Sequence, residues 1–107
     1  MKPLTAAIAL LFLTGASAAA GEANPDAAKG IVSDYCADCH EVAGFPRGSR
    51  AISFDAPDFS VIAMQRDPDR IRQFLRRPHY PMTQFVLSAS DIENLVAFIS
   101  AQAAPGQ

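Results

Sequence analysis

Tyr35-Cys36-Ala37-Asp38-Cys39-His40-Glu41-Val42 holds both cysteines of this 107-residue chain and one of its two histidines. Two thiols three residues apart, with an imidazole directly after the second, suit four chemistries. These are a redox disulfide, half of a zinc site, part of an iron–sulfur site, and an attachment point for c-type haem. A structural zinc site needs four ligands, usually from two close pairs. Only Cys36, Cys39, His40 and His79 are available as soft ligands, and His40 adjoins Cys39 too tightly for the usual spacing. A cysteine-ligated iron–sulfur cluster takes four cysteines, twice the number present. A thioredoxin-like pair needs a strand before the motif, and no segment here alternates with period two. Haem attachment needs two thiols to add across two vinyl groups and a histidine to reach the iron. All three are in place.

Upstream of the motif the chain begins MKPLTAAIALLFLTGASAAAGEA: one positive charge at Lys2, a largely apolar run, then small residues. That is the layout of a secretory signal peptide. The run from Leu4 to Leu13 falls well short of the roughly 20 residues that cross a bilayer. We therefore expect residues 1–20 to be cleaved, with the cut between Ala18 and Gly21. A short polar leader, 21–25, and one domain, 26–107, would remain. The mature protein is expected in the periplasm, with no membrane span.

A domain this short buries only about 60% of its unfolded surface and usually needs a staple, metal or cofactor. With no tryptophan and two cysteines, the composition leans towards a core completed by a prosthetic group. Residues 21–107 carry eight basic and eleven acidic side chains, a net charge of −3. Nucleic-acid-binding domains carry a basic excess, so that class is excluded. The charge is uneven: residues 21–61 have three basic and seven acidic groups, residues 62–107 five and four.

Periodicity predicts only helices. Ala28, Ile31, Val32 and Tyr35 place one over about Asp26 to Ala37. Glu41 to Ala56 reads as loop. Pro57 and Asp58 open a short helix carrying Phe59, Ile62 and Ala63. Asp67-Pro68 pairs an N-cap acid with a first-position proline, and the helix it starts buries Ile71, Phe74 and Leu75 before stopping near Arg77, ahead of Pro78. The loop RPHYPMTQF follows. Ser88 and Asp91 then form a capping pair, with Leu87 stapled onto Ile92, for a last helix whose stripe is Ile92, Leu95, Val96, Phe98 and Ile99. The fold class is all-α, with short helices and long connections.

CADCH, APDFSVIA, FLRRPHYPM and LSASDIENLVAFI, in that order, resemble successive blocks of small bacterial class I cytochromes c, over nearly all of residues 26–102. The resemblance implies the cytochrome c fold packed around one covalent haem c, held by thioethers at Cys36 and Cys39, with His40 as an axial iron ligand. It implies that the carbonyl of Pro57 orients His40 and that Met82 is the sixth ligand. It also implies a crossing of the first and last helices, Ala28 and Val32 meeting Leu95 and Phe98. Many members have glycine where Ala28 stands.

Met82 has rivals. Met64 lies in the apolar run Val61-Ile62-Ala63-Met64 on an expected helix, where methionine is ordinarily core filler, whereas Met82 sits in an extended, proline-flanked loop. His79 would give His/His ligation and a lower potential. Arg66, Arg70, Arg72, Arg76 and Arg77 read either as a solvated helix face, as a docking patch for an acidic partner, or as a counterweight to the haem propionates. Arg66, Arg70 and Arg77 share one stripe. The expected function is one-electron transfer between redox partner proteins, by a monomer with no catalytic residues. The alternatives are an electron-accepting subunit of a periplasmic dehydrogenase and a gas-binding haem protein.

Overall fold

A computed structural model describes residues 22–48 and 55–103. The expected signal segment lies outside the described residues, as do positions 49–54 of the expected Glu41–Ala56 loop. Asn24 starts the architecture. Its side chain accepts from the Asp26 amide at 3.1 Å, ahead of Pro25, and a 3-10 turn Pro25–Ala28 leads into helix α1, Lys29–Asp34. A second 3-10 turn, Cys36–Asp38, follows. The single helix expected from Asp26 to Ala37 is thus three short pieces. Pro25 favours a tight first turn, while Gly30 and the β-branched Ile31 and Val32 are weak helix formers. Helix α2 spans Phe59–Gln65, α3 Pro68–Arg76 and α4 Ala89–Ala101, with a 3-10 turn Met82–Gln84 between the last two. The described residues contain no strand.

Local chemistry sets the helix ends. Asp67 caps α3 by accepting from the Arg70 amide at 2.9 Å, with Pro68 at the first position. Ser88 and Asp91 form a full capping box on α4: the Ser88 hydroxyl accepts from the Asp91 amide at 3.1 Å and the Ser88 amide donates to Asp91 at 3.2 Å. Leu87, just before the cap, packs against the core cluster that contains Ile92.

The core is organised by α4, which packs on the 25–28 turn, on α2 and on α3. Ala28 and Val32 are both 0% exposed and belong to one cluster with Leu95 and Phe98. The small side chain at position 28 lets the N-terminal turn approach α4, and Asn24 ties the two together by donating its amide to Asn94 Oδ1 at 2.8 Å. Phe98 centres an aromatic group, meeting Phe45 edge-on at 5.8 Å and Phe59 at 6.2 Å. Arg72 on α3 reaches Glu93 on α4 at 2.7 Å.

Three side chains lie differently from expectation. Met64 is 68% exposed rather than filling the core, because α2 is only half-sunk and position 64 falls on its outer side. Phe74 is 37% exposed and Tyr35 54% exposed. Both border a large cavity, so the apolar stripe that contains them faces that space as much as the core.

Candidate functional site

The cysteine pair is shaped by one tight turn. The Cys36 carbonyl accepts from two amides, Cys39 at 3.2 Å and His40 at 2.9 Å. This winds the chain once between the thiols and carries the imidazole round with them. The loop beyond closes back onto the turn. Phe45 donates to the Val42 carbonyl at 3.0 Å, across a bend in which Gly44 has φ +83°, the left-handed region that glycine enters without strain. The Gly48 amide then donates to the Ala37 carbonyl at 2.9 Å, and any side chain at 48 would come within 2.5 Å of the Asp38 backbone. Gly48 is a fixed part of this site. Its identity in the sequence carried no sign of the role, because the close approach involves backbone ten residues away.

His40 is buried, and its Nδ1 donates to the carbonyl of Pro57 at 2.6 Å. That bond places the proton on Nδ1 and leaves the Nε2 lone pair able to serve as a ligand. The ring lies 5.2 Å from the ring of Phe59, the first residue of α2. The Phe59 amide donates to the Glu41 carbonyl at 3.0 Å, so the start of α2 and the end of the motif hold one another in place. Burial pushes the Cys36 thiol up to about 11, and the neighbouring Cys39 adds to the shift. A redox-active C-x-x-C uses the opposite, a lowered thiol pKa. Among the described residues no group of three or more His, Cys, Asp and Glu side chains could hold a metal ion.

Cys36, Cys39, His40, Pro57 and Met82 all line one partly open cavity of about 1410 Å³. Its walls include Ile31 of α1, Ile71 and Leu75 of α3, and Leu95 and Ile99 of α4. Close-packed interiors leave few voids larger than a water molecule, so apolar walls around a space this large mark a receptacle for a large apolar group. The donor set fits a haem: two thiols and an imidazole from one turn, and a thioether from another segment. Met82 is half-buried and packs against the core cluster. It opens a 3-10 turn rather than an extended loop, its amide bonded to the His79 carbonyl at 2.8 Å.

His79 lines the same cavity, but its ring is exposed and rests 5.3 Å from that of Phe74. Met64 is not among the cavity residues. Of the five clustered arginines, Arg66, Arg70 and Arg77 line the cavity and Arg72 turns to Glu93.

Over 93 residues the chain is 32% identical to cytochrome c-552 of Bradyrhizobium diazoefficiens, an alignment that covers 83% of this chain and 86% of that protein. No family model matches the chain. No solved structure matches it.

Proposed function

The chain belongs to the small c-type cytochromes, and on that footing we propose that it is an exported one-electron carrier with a single covalent haem c. In this reading residues 1–20 are a cleaved signal, 21–25 a leader and 26–107 the working domain. Cys36 and Cys39 hold the haem through thioethers, while His40 and Met82 are the axial ligands of its iron. When bound, the haem supplies a reversible one-electron couple. The chain's own residues supply its surroundings. Pro57 keeps the His40 ring in the ligating tautomer, Phe59 backs that ring, and the apolar walls exclude water. A thioether as sixth ligand raises the potential relative to a second imidazole. A rigid pocket keeps ligand geometry similar in both oxidation states, so little has to rearrange when an electron moves.

The observation that carries this reading is the His40–Pro57 hydrogen bond at 2.6 Å, made on the cavity that Met82 also lines. No helix among the described residues is long and apolar enough to cross a membrane; what supports a periplasmic location is the signal-like layout of residues 1–20. It passes electrons between redox proteins and turns over no substrate alone. Its partners approach the cavity mouth, where Tyr80 and Val86 are exposed, near the Arg66–Arg77 segment. Acid–acetone extraction of the exported protein tests the attachment. The pigment should stay with the polypeptide, and mass spectrometry should find one haem added to the chain that starts near Gly21. Pigment that extracts freely contradicts the proposal.

A further inference from the structure

Met82 hangs from a turn with little direct support. Its side chain reaches the core cluster, but among the described residues no helix packs its backbone close to the 3-10 turn Met82–Gln84. The turn is held instead through the residues on either side of it. Upstream, the His79 carbonyl accepts from the Met82 amide at 2.8 Å, and the His79 ring rests 5.3 Å from that of Phe74 on α3. Downstream, the Phe85 amide donates to the Met82 carbonyl at 3.1 Å, and the Phe85 ring meets that of Tyr35 edge-on at 5.7 Å.

The two anchors differ in kind. Phe74 and His79 belong to consecutive stretches, α3 and the loop that leaves it, so their contact is local. Tyr35 closes the C-terminal end of α1, its amide bonded to the Ile31 carbonyl at 2.9 Å, and directly precedes Cys36. The Tyr35–Phe85 pair therefore joins the segment that carries both cysteines and His40 to the segment that carries Met82. Both rings line the cavity, Phe85 half-buried and Tyr35 exposed. We propose that Tyr35 and Phe85 are positioning residues, a clasp that keeps the Met82 thioether on the iron and competing ligands off it. The proposal rests on the His40/Met82 ligation assigned above. With the clasp broken, the downstream end of the turn is free as far as Leu87, which packs on the core, and the Ser88 cap. Met82 then spends a larger fraction of time off the iron. Residues that orient a ligand in this way act on the metal without touching it.

Imidazole binds the ferric iron only while Met82 is off it, so its apparent affinity for the haem-loaded protein reports the open fraction. Tyr35→Leu and Phe85→Leu should each tighten imidazole binding by about 2- to 10-fold, the worth of one aromatic pair. The double variant should do no more than either alone, because both changes remove the same contact. Tyr35→Phe keeps the ring and should match the wild type. So should Val86→Ala, a change on the same loop at an exposed side chain. Every variant should keep the methionine-to-iron charge-transfer band when imidazole is absent. Where one leucine variant fails to mature, the other carries the same test, with Tyr35→Phe as its reference. Unchanged imidazole affinity in the leucine variants overturns the proposal. A lower melting temperature without that change assigns the rings to packing alone. Fully additive effects in the double variant also overturn it, since the rings then act separately. A wild type that lacks the band is a different failure, that of Met82 as the ligand.

Discussion

Met82 and Met64 show how much one side chain's surroundings decide. Both are methionines beside apolar neighbours, but Met82 is half-buried on the cavity wall and Met64 is 68% exposed on the outside of α2. Met82→Ala should abolish the methionine-to-iron charge-transfer band, lower the potential and let carbon monoxide reach the ferrous iron. Axial-ligand identity moves haem potentials across a range of about 0.8 V, so the fall should be plain in a redox titration. Met64→Leu should leave band and potential intact and alter stability by no more than about 0.5 kcal/mol, as for an ordinary surface substitution. His79→Ala should also keep the band. A band that survives Met82→Ala and disappears in Met64→Leu reverses the assignment. The sequence distinguishes these methionines by context, a proline-flanked loop against an apolar run. It does not show that the apolar run faces water, because Val61-Ile62-Ala63-Met64 is apolar all round and has no periodicity to orient it. Tyr35 and Phe74 are misjudged for a related reason: a helical stripe registers which residues avoid solvent, and an open cavity looks the same as core. Gly48 is illegible for a third reason, since its constraint comes from a backbone contact ten residues distant.

The helices are most readable where side chains act on their own backbone. Asp67-Pro68 and the Ser88–Asp91 box are short-range chemistry, and both helix starts fall where those residues place them. Links between helices are harder to anticipate. Nothing in the spacing pairs Arg72 with Glu93, twenty-one positions apart, yet their contact joins α3 to α4. The hydrogen bond from Arg72, with its charge, holds the Glu93 carboxyl below the usual carboxylate value of 4.5. A carboxyl whose pKa is lower folded than unfolded stabilises the fold at pH values above the unfolded pKa. That contribution disappears as pH falls through the folded value. Glu93→Gln should therefore lower the melting temperature at neutral pH, with the gap to wild type closing in acid as the native carboxyl is protonated. Melts of the haem-loaded proteins from pH 7 down to about pH 3 follow the gap directly. A gap that is constant across that range means the pair acts through shape and not through charge.

The helices leave a question that concerns the chain in its entirety: what holds them apart at the right spacing. α4 gathers the N-terminal turn, α2 and α3 around itself, but the cysteine turn and α3 meet only across the cavity. Ile31, Ile71, Leu75, Leu95 and Ile99 all present surface to that space. Ile71, Leu75, Leu95 and Ile99 are already buried against their neighbours, whereas Tyr35 and Phe74 on the same cavity are exposed. A haem in the cavity would cover such apolar surface, which costs about 25 cal/mol for each Å² left in water. A domain of this size has net stability of only about 5–15 kcal/mol to set against such losses. On the proposed attachment, the two cysteines decide whether the fold is stable at all. Replacing Cys36 and Cys39 together by alanine, with export left intact, should yield a periplasmic product that is quickly proteolysed, weakly helical and without a cooperative melt. The contrast with Met64→Leu is built into this account, since that change touches no cavity wall. A well-folded double-alanine protein that melts sharply and resists protease would show that α4 and its neighbours are sufficient alone. The cavity would then be a preformed receptacle and not a gap that only the cofactor makes tolerable.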